Sequence, residues 1–160
     1  MGTQQNKELV RRYFAAMDRG DVDGAAALWS PDAINHASGR PGLQPPPGSA
    51  MLGDVFRSLH QAFPDRRWQI DDLIAEGDTV VCRMTVSGTY GENPPLPVES
   101  TFLITAPPMG RPYSVTHIHV LRVAEERIVE HWAARDDLGL LLQLGVISRP
   151  ETAPGAPSPR

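Results

Sequence analysis

The sequence predicts an α+β fold in which N-terminal helices pack against one face of a curved antiparallel sheet. Up to Phe63, apolar residues recur with the spacing of amphipathic helices. Between Trp68 and Ala134, the chain is instead rich in Val, Ile, Thr and aromatic residues, with polar turns between the runs. Helices that come first and strands that follow are typical of the α+β class rather than of a wound parallel sheet.

Three helices are predicted before the strands. The first shows an apolar face from Leu9 and ends near Gly20. A second, short helix covers residues 21–29 and ends before Pro31, because proline disfavours helical geometry in the residue that precedes it. The third covers residues 52–63, after a loop at 39–48 that is rich in Gly and Pro.

Five segments are predicted as antiparallel strands of one sheet: 68–75, 79–88, 100–105, 113–123 and 127–134. A short closing helix over residues 137–144 follows, with Gly145 just beyond its end. The 160 residues and 41% hydrophobic content suffice for one buried core. We therefore predict one domain over residues 1–147 and a disordered Pro-rich tail over residues 148–160.

Charge and composition exclude several classes of function. The chain has 15 Lys and Arg residues against 19 Asp and Glu residues, and the basic ones are scattered, so neither nucleic acid nor an anionic membrane is an expected partner. A single cysteine, Cys82, excludes an intramolecular disulfide and a Cys-rich metal site. No apolar run approaches a membrane span or the core of a secretion signal. We expect a cytoplasmic protein that binds a small molecule or a second copy of itself.

The most specific motif lies in residues 118–145. A strand with His119, a tight hairpin, a strand with Glu-His-Trp at 130–132, and an Asp before a Leu-rich helix follow in this order. This order resembles the C-terminal signature of the SnoaL-like polyketide cyclases, within the nuclear-transport-factor-two-like superfamily. Upstream pieces such as Phe-Pro-Asp at 63–65 extend the resemblance over most of residues 7–145. It implies a cone-shaped sheet around an internal pocket, no cofactor, and a homodimer.

Two departures from the family pattern bear on function. Ring-closing members carry an acid-base Asp on the last strand, where this chain has Ala133, and the base position of the related ketosteroid isomerases falls on Ala37. The segment 90–106 is longer than the usual connection, which predicts a remodelled pocket rim.

Three residues are predicted to carry acid-base chemistry: His119, Asp136 and His36. Period-two alternation puts His117 and His119 on one face of a strand, and the resemblance places His119 in the pocket, where an imidazole exchanges protons near neutral pH. Its alternative role is structural. Asp136 is the nearest remaining acid to Ala133, with capping of the last helix as its alternative. His36 is expected to close the pocket from the other side or else to be exposed to solvent.

Aromatic residues and imidazoles are predicted to line the pocket. Where the ketosteroid isomerases carry an oxyanion-stabilising Tyr, this chain has Tyr13, although a core aromatic residue is the favoured interpretation. His131 and Trp132 point to opposite faces of one strand, so at most one lines the pocket, and Trp132 is interpreted as a core residue. A metal site is not expected, because no third ligand follows His117 and His119 at a suitable spacing. The predicted lining residues are Tyr13, Trp29, Phe56, His117, His131 and Trp132.

The function predicted on this basis is that of a cofactor-free cyclase, isomerase or lyase of polyketide-type secondary metabolism, such as antibiotic biosynthesis. It closes a ring in a small apolar carbonyl substrate by acid-base chemistry. Two alternatives stay open. One is a hydrolase or hydroxylase that acts on a related polycyclic substrate. The other is a non-catalytic dimer module that binds a small ligand, which the loss of the family Asp at Ala133 favours.

Overall fold

The computed structural model describes residues 2–37, 49–91 and 110–148. The predicted α+β class is confirmed. The predicted loop at 39–48, the predicted strand at 100–105 and most of the predicted tail lie outside the described residues. In chain order the elements are α1 (Thr3–Asp18), α2 (Val22–Ala27), β1 (Trp29–Asn35), α3 (Ser49–Ala62), β2 (Arg67–Glu76), β3 (Thr79–Thr89), β4 (Pro112–Ala124), β5 (Arg127–Arg135) and α4 (Asp137–Gln143).

The described strands form a single sheet in the order β1-β5-β4-β3-β2. The last four pair antiparallel as predicted, but β1 runs parallel to β5, so the sheet is mixed. The expectation that three helices precede any strand was wrong, because β1 lies between α2 and α3. Its Pro31 is tolerated there, since β1 is an edge strand and a proline on an edge need not donate to a neighbour. Trp29 accordingly begins β1 instead of ending a helix.

One face of the sheet is buried against the N-terminal helices. On β4 every second residue from Tyr113 to Val123 is buried, which confirms the predicted alternation. One core cluster joins α1, through residues such as Val10 and Phe14, to inner residues of β3 such as Met84. A second cluster surrounds Phe63 and extends to α4. The inner face is therefore where polar side chains are shielded from water.

No helix in the described ranges is both long enough and apolar enough to cross a membrane.

Candidate functional site

Three imidazoles lie side by side on the inner face of β4 and β5. His117, His119 and His131 are all buried. The His119 and His131 rings stack at 5.1 Å between centroids and 8° between planes, and the His117 ring lies 5.5 Å from that of His119. The alternation of β4 brings the first two to one face, as predicted. The register of β5 adds the third, because His131 pairs with Leu121, two residues beyond His119.

A chain of hydrogen bonds runs through these rings to β1. His119 Nδ1 lies 2.8 Å from His131 Nε2, and His131 Nδ1 lies 2.8 Å from Asn35 Oδ1. The same Asn35 oxygen accepts the backbone N–H of Ala37 at 3.1 Å, which identifies it as the oxygen of the amide. We call Asn35, His131 and His119 the histidine relay.

The relay determines which nitrogen of each ring carries the proton. Asn35 Oδ1 can only accept, so His131 donates from Nδ1 and its Nε2 is the acceptor. His119 must then donate from Nδ1, which leaves its Nε2 with a free lone pair. That Nε2 atom is buried and makes no hydrogen bond with any described residue. The relay therefore presents one unpartnered proton acceptor in the interior.

Burial keeps all three imidazoles neutral at neutral pH. It lowers the pKa of His117 and of His131 to about 3, with a smaller effect from the positive charge of Arg135. Burial also holds the pKa of His119 well below its ordinary value, and the neighbouring His131 and His117 lower it further. Cys82 lies opposite His119 on β3, and burial raises its pKa to about 12, so it is a protonated thiol rather than a nucleophile.

A second set of polar groups surrounds Phe63. Arg66 Nε, Tyr90 Oη and Tyr113 Oη are buried and make no hydrogen bond with any described residue. The Phe63 ring lies 5.6 Å from the Tyr90 ring and 5.1 Å from the Tyr113 ring, between centroids. Arg66 Cζ lies 5.6 Å from the centre of the Phe63 ring. We call Arg66, Tyr90 and Tyr113 the Phe63 cluster.

The histidine relay and the Phe63 cluster meet at Trp68. Arg66 Cζ lies 4.4 Å from the centre of the Trp68 ring, which in turn lies 6.1 Å from the rings of His117 and His119. Sequence reasoning missed Arg66, because two adjacent arginines before a strand are typical of a solvated surface. The available signal was its position between Phe63 and Trp68, since guanidinium groups stack on aromatic rings.

The aromatic residues predicted for the pocket pack behind the relay. Tyr13 is buried, and its ring lies 5.7 Å from that of Trp29 and 6.1 Å from that of Phe56. The Trp29 ring meets the His131 ring edge to face at 5.6 Å. Tyr13, Trp29 and Phe56 all belong to the larger core cluster.

The structure does not bring His36 or Trp132 to the buried imidazoles. Trp132 follows His131 and points to the outer face, where 38% of it is exposed, so its interpretation as a core residue was wrong. The His36 ring stacks on Trp132 at 4.7 Å, and its Nε2 lies 2.9 Å from Glu130 Oε1. Arg122 donates to the other oxygen of Glu130. His36 thus hydrogen-bonds a carboxylate on the outer face and does not close the inner site.

The structure places Asp136 at the N-terminus of α4. Its Oδ1 accepts the backbone N–H of Gly139 at 2.8 Å, as the N-cap of α4. Asp21 caps α2 in the same way, by accepting the N–H of Gly24 at 2.9 Å. Among the described residues, no three His, Cys, Asp or Glu side chains are grouped so that they could hold a metal ion.

The family model of the SnoaL-like polyketide cyclases matches residues 7–144. AclR of Streptomyces galilaeus, provisionally assigned as a hydroxylase, is 27% identical with a TM-score of 0.72, over 98% of this chain and 87% of its own. IdmH of Streptomyces antibioticus, provisionally assigned as a polyketide cyclase, is 28% identical with a TM-score of 0.69, over 88% of this chain and 99% of its own. TsrD of Streptomyces laurentii is 26% identical with a TM-score of 0.73, over 92% and 99%. No curated protein matches the sequence.

Proposed function

Because the chain belongs to the SnoaL-like polyketide cyclase family, we propose that it closes a ring in a small polyketide-type carbonyl compound by cofactor-free acid-base catalysis. The observation that carries this proposal is the free lone pair on His119 Nε2. The relay to His131 and Asn35 fixes that lone pair in place. A base held in the interior replaces the carboxylate that the family carries where this chain has Ala133.

The proposed reaction begins with proton transfer from the carbon next to a carbonyl. The C–H bond breaks, His119 Nε2 takes the proton, and the electron pair passes into the carbonyl to form an enolate. The enolate carbon attacks a second carbonyl of the same molecule, which forms the new C–C bond. The resulting alkoxide then takes the proton back from His119. The step conserves mass, and later loss of water lowers it by that amount.

The neighbouring His117 suits the role of hydrogen-bond donor to the carbonyl oxygen. Its Nδ1 is buried without a partner among the described residues, and its ring lies 5.5 Å from that of His119. A neutral imidazole can polarise a carbonyl, because its N–H donates to the oxygen on which negative charge develops. The ring does not have to be protonated to imidazolium first. The low pKa of His119 makes it a weak base, so the enolate must be stabilised in this way for the proton transfer to proceed.

The test compares His119 with the outer-face histidine. We expect the His119→Gln variant, added to extracts of a gene-deletion strain, to convert the accumulated precursor about 100-fold more slowly than the native protein, since a positioned base contributes about 10²–10⁴-fold. The matched control is His36→Gln. Because His36 lies on the outer face and is not the proposed base, this variant should stay within about two-fold of the native rate. Mass spectrometry follows the conversion.

The mass of the product separates the proposed reaction from its rivals. An unchanged mass or the loss of water supports ring closure, whereas gain of one oxygen would support the hydroxylase that the similarity to AclR suggests. Gain of water would support a hydrolase. If His119→Gln converts the precursor as fast as the native protein, the assignment of the base is wrong.

The outer face of the sheet supports a second proposal, that two copies pair there. Of the residues that the structure describes, four large apolar ones are exposed on this face, on four different strands: Ile34 at 45%, Ile74 at 65%, Ile118 at 42% and Trp132 at 38%. An apolar patch of this kind is typical of a surface that another protein covers. Because the patch faces away from the relay, pairing would leave the proposed site intact.

A further inference from the structure

We propose that the Phe63 cluster is a binding subsite for a carboxylate, so that the substrate is a free acid rather than an ester or an uncharged ketone. This inference rests on the proposed function only in treating the bound molecule as a substrate. Its evidence is separate, because it depends on Arg66, Tyr90 and Tyr113 and not on the histidine relay.

The charge of Arg66 has no counterpart among the described residues. Arg83 and Arg122, on the outer face, each reach a carboxylate oxygen at 2.6 Å, on Asp72 and Glu130. Among the described residues, the Arg66 guanidinium contacts the rings of Phe63 and Trp68, and its buried Nε has no hydrogen-bond partner. Burial lowers the pKa of Arg66, but a guanidinium keeps its proton in proteins. The side chain of Arg66 is half-buried and its Nε is fully buried, so the cation is partly removed from water. A partly desolvated cation without an anion is costly, and a ligand with a negative group removes that cost.

The two phenols complete the donor set. Burial raises the pKa of Tyr113 and of Tyr90, so both hydroxyls are protonated at neutral pH and can donate. The guanidinium and both phenol rings contact the same Phe63 ring. A carboxylate accepts through two oxygens and binds arginine more tightly than a neutral oxygen does.

The subsite lies at a useful distance from the base. Tyr113 and His119 share the inner face of β4, six residues apart, whereas only the Trp68 ring separates the guanidinium of Arg66 from His119. The Trp68 ring lies between, in contact with Arg66 at one end and His119 at the other. An elongated molecule held by its carboxylate at the Phe63 cluster would extend along Trp68 toward His119. The acid thus sets which carbonyl reaches the base.

The experiment measures the binding of matched acids and esters. Anthraquinone-2-carboxylic acid and naphthalene-2-carboxylic acid, each with its methyl ester, are titrated against tryptophan fluorescence, to which Trp68 in the subsite contributes. We expect the native protein to bind at least one acid about ten-fold or more tightly than its ester. The ratio should fall to about one in Arg66→Gln, because the cation is lost. Arg67→Gln, which removes the exposed neighbour that pairs with Asp18, should keep the native ratio.

Further arms make each outcome decisive. If Arg66→Gln does not fold by circular dichroism, Tyr113→Phe takes its place and should lower the preference for the acid several-fold. The proposal is overturned if no acid binds more tightly than its ester, or if the preference survives in Arg66→Gln. It is also overturned if sodium chloride at the same concentration displaces the aromatic acid, because the site would then accept any small anion.

The same titration distinguishes failure of the subsite from failure of the proposed catalysis. His119→Gln should keep the preference for acids although turnover is lost. A preference for acids in a protein without His119-dependent turnover would leave the subsite standing and refute only the base. Turnover that depends on His119, together with equal binding of acid and ester, would refute only the subsite.

Discussion

Histidines occur on both faces of the β4 and β5 pair, but their surroundings give them different chemistry. On the inner face, His119 and His131 bond to each other and to an amide, without a carboxylate, and burial keeps them neutral. On the outer face, His36 bonds to Glu130, and the hydrogen bonds from His36 and Arg122 lower the pKa of that carboxylate. The inner arrangement preserves an uncharged proton acceptor, whereas the outer one is an ordinary surface ion pair. A histidine in the sequence therefore indicates little until its partners are known.

The largest expected effect is a loss of folding stability in acid, which arises from the buried histidines of the inner face. His117 and His131 have folded-state pKa values of about 3, whereas the same groups in the unfolded chain titrate near their ordinary value of 6.5. As the pH falls, the unfolded state therefore takes up protons before the folded state does. The contribution of these histidines to the free energy of unfolding is complete above pH 6.5 and decreases as the pH drops toward 3. We expect a loss of about 1.4 kcal/mol per pH unit for each such histidine. Denaturant unfolding at pH 7, 6 and 5 measures this.

The variant for that experiment is His131→Phe. Removing His131 should lower the slope of stability against pH by about 1.4 kcal/mol per pH unit, and His117 should account for a similar remaining share. A stability that does not vary between pH 7 and pH 5 would show that the inner imidazoles are not neutral in the folded protein.

A carboxylate introduced on the inner face should make its histidine resemble the outer one, which is bonded to a carboxylate. In Asn35→Asp, a carboxylate replaces the amide that accepts from His131 Nδ1. A negative charge at that position stabilises the imidazolium, so the pKa of His131 should rise by about 1–3 units, which NMR titration of the ring protons would detect. The pH profile of turnover should move with it.

The apolar variant of the same residue tests positioning alone. Asn35→Leu removes the acceptor that fixes the tautomers, and turnover should fall by about 100-fold, as for loss of a positioned base. Glu130 is the partner of His36 on the outer face, as Asn35 is of His131 on the inner face. Because it does not orient the proposed base, Glu130→Gln should change turnover by less than about two-fold. Equal losses in both variants would mean that the relay has no special role.

Charge on the outer face should act on assembly rather than on chemistry. Trp132→Glu buries a carboxylate in the proposed interface between copies, and the dissociation constant of the pair should rise by about ten-fold or more. Sedimentation of the native protein and the variant over a range of concentrations provides the measurement. A native protein that sediments as a monomer at every concentration would remove the basis for pairing through this face.

The smallest effects are expected at the two aspartate caps. Asp136→Ala and Asp21→Ala should each cost about 1 kcal/mol of the free energy of unfolding, because each loses one bond to a helix N-terminus. Asp136→Asn should retain both stability and turnover, since asparagine also caps helices. A large loss of turnover in Asp136→Asn at unchanged stability would restore the acid-base role that the sequence suggested for Asp136.

Local patterns predicted the described strands β2 to β5 and the three longer helices well. They failed at β1, because its pairing with β5 is decided by residues about a hundred positions away and its Pro31 is typical of a helix end. The site divides in the same way. The shared face of His117 and His119 follows from alternation within one strand, but the bonds to His131 and Asn35 depend on the register between strands. Arg66 was missed because only burial distinguishes it from the exposed Arg67 beside it.

The bond between Asn35 and His131 also ties the site to the order of folding. It joins residues 96 positions apart, across the parallel pair that β1 forms with β5. The β2–β3 and β4–β5 hairpins can form from near neighbours, whereas β1 must close a long loop before it pairs with β5, a step that is intrinsically slow. A chain with its hairpins formed but β1 undocked would hold His119 on the inner face with its tautomer unset. Recovery of turnover after refolding should therefore lag behind recovery of strand content.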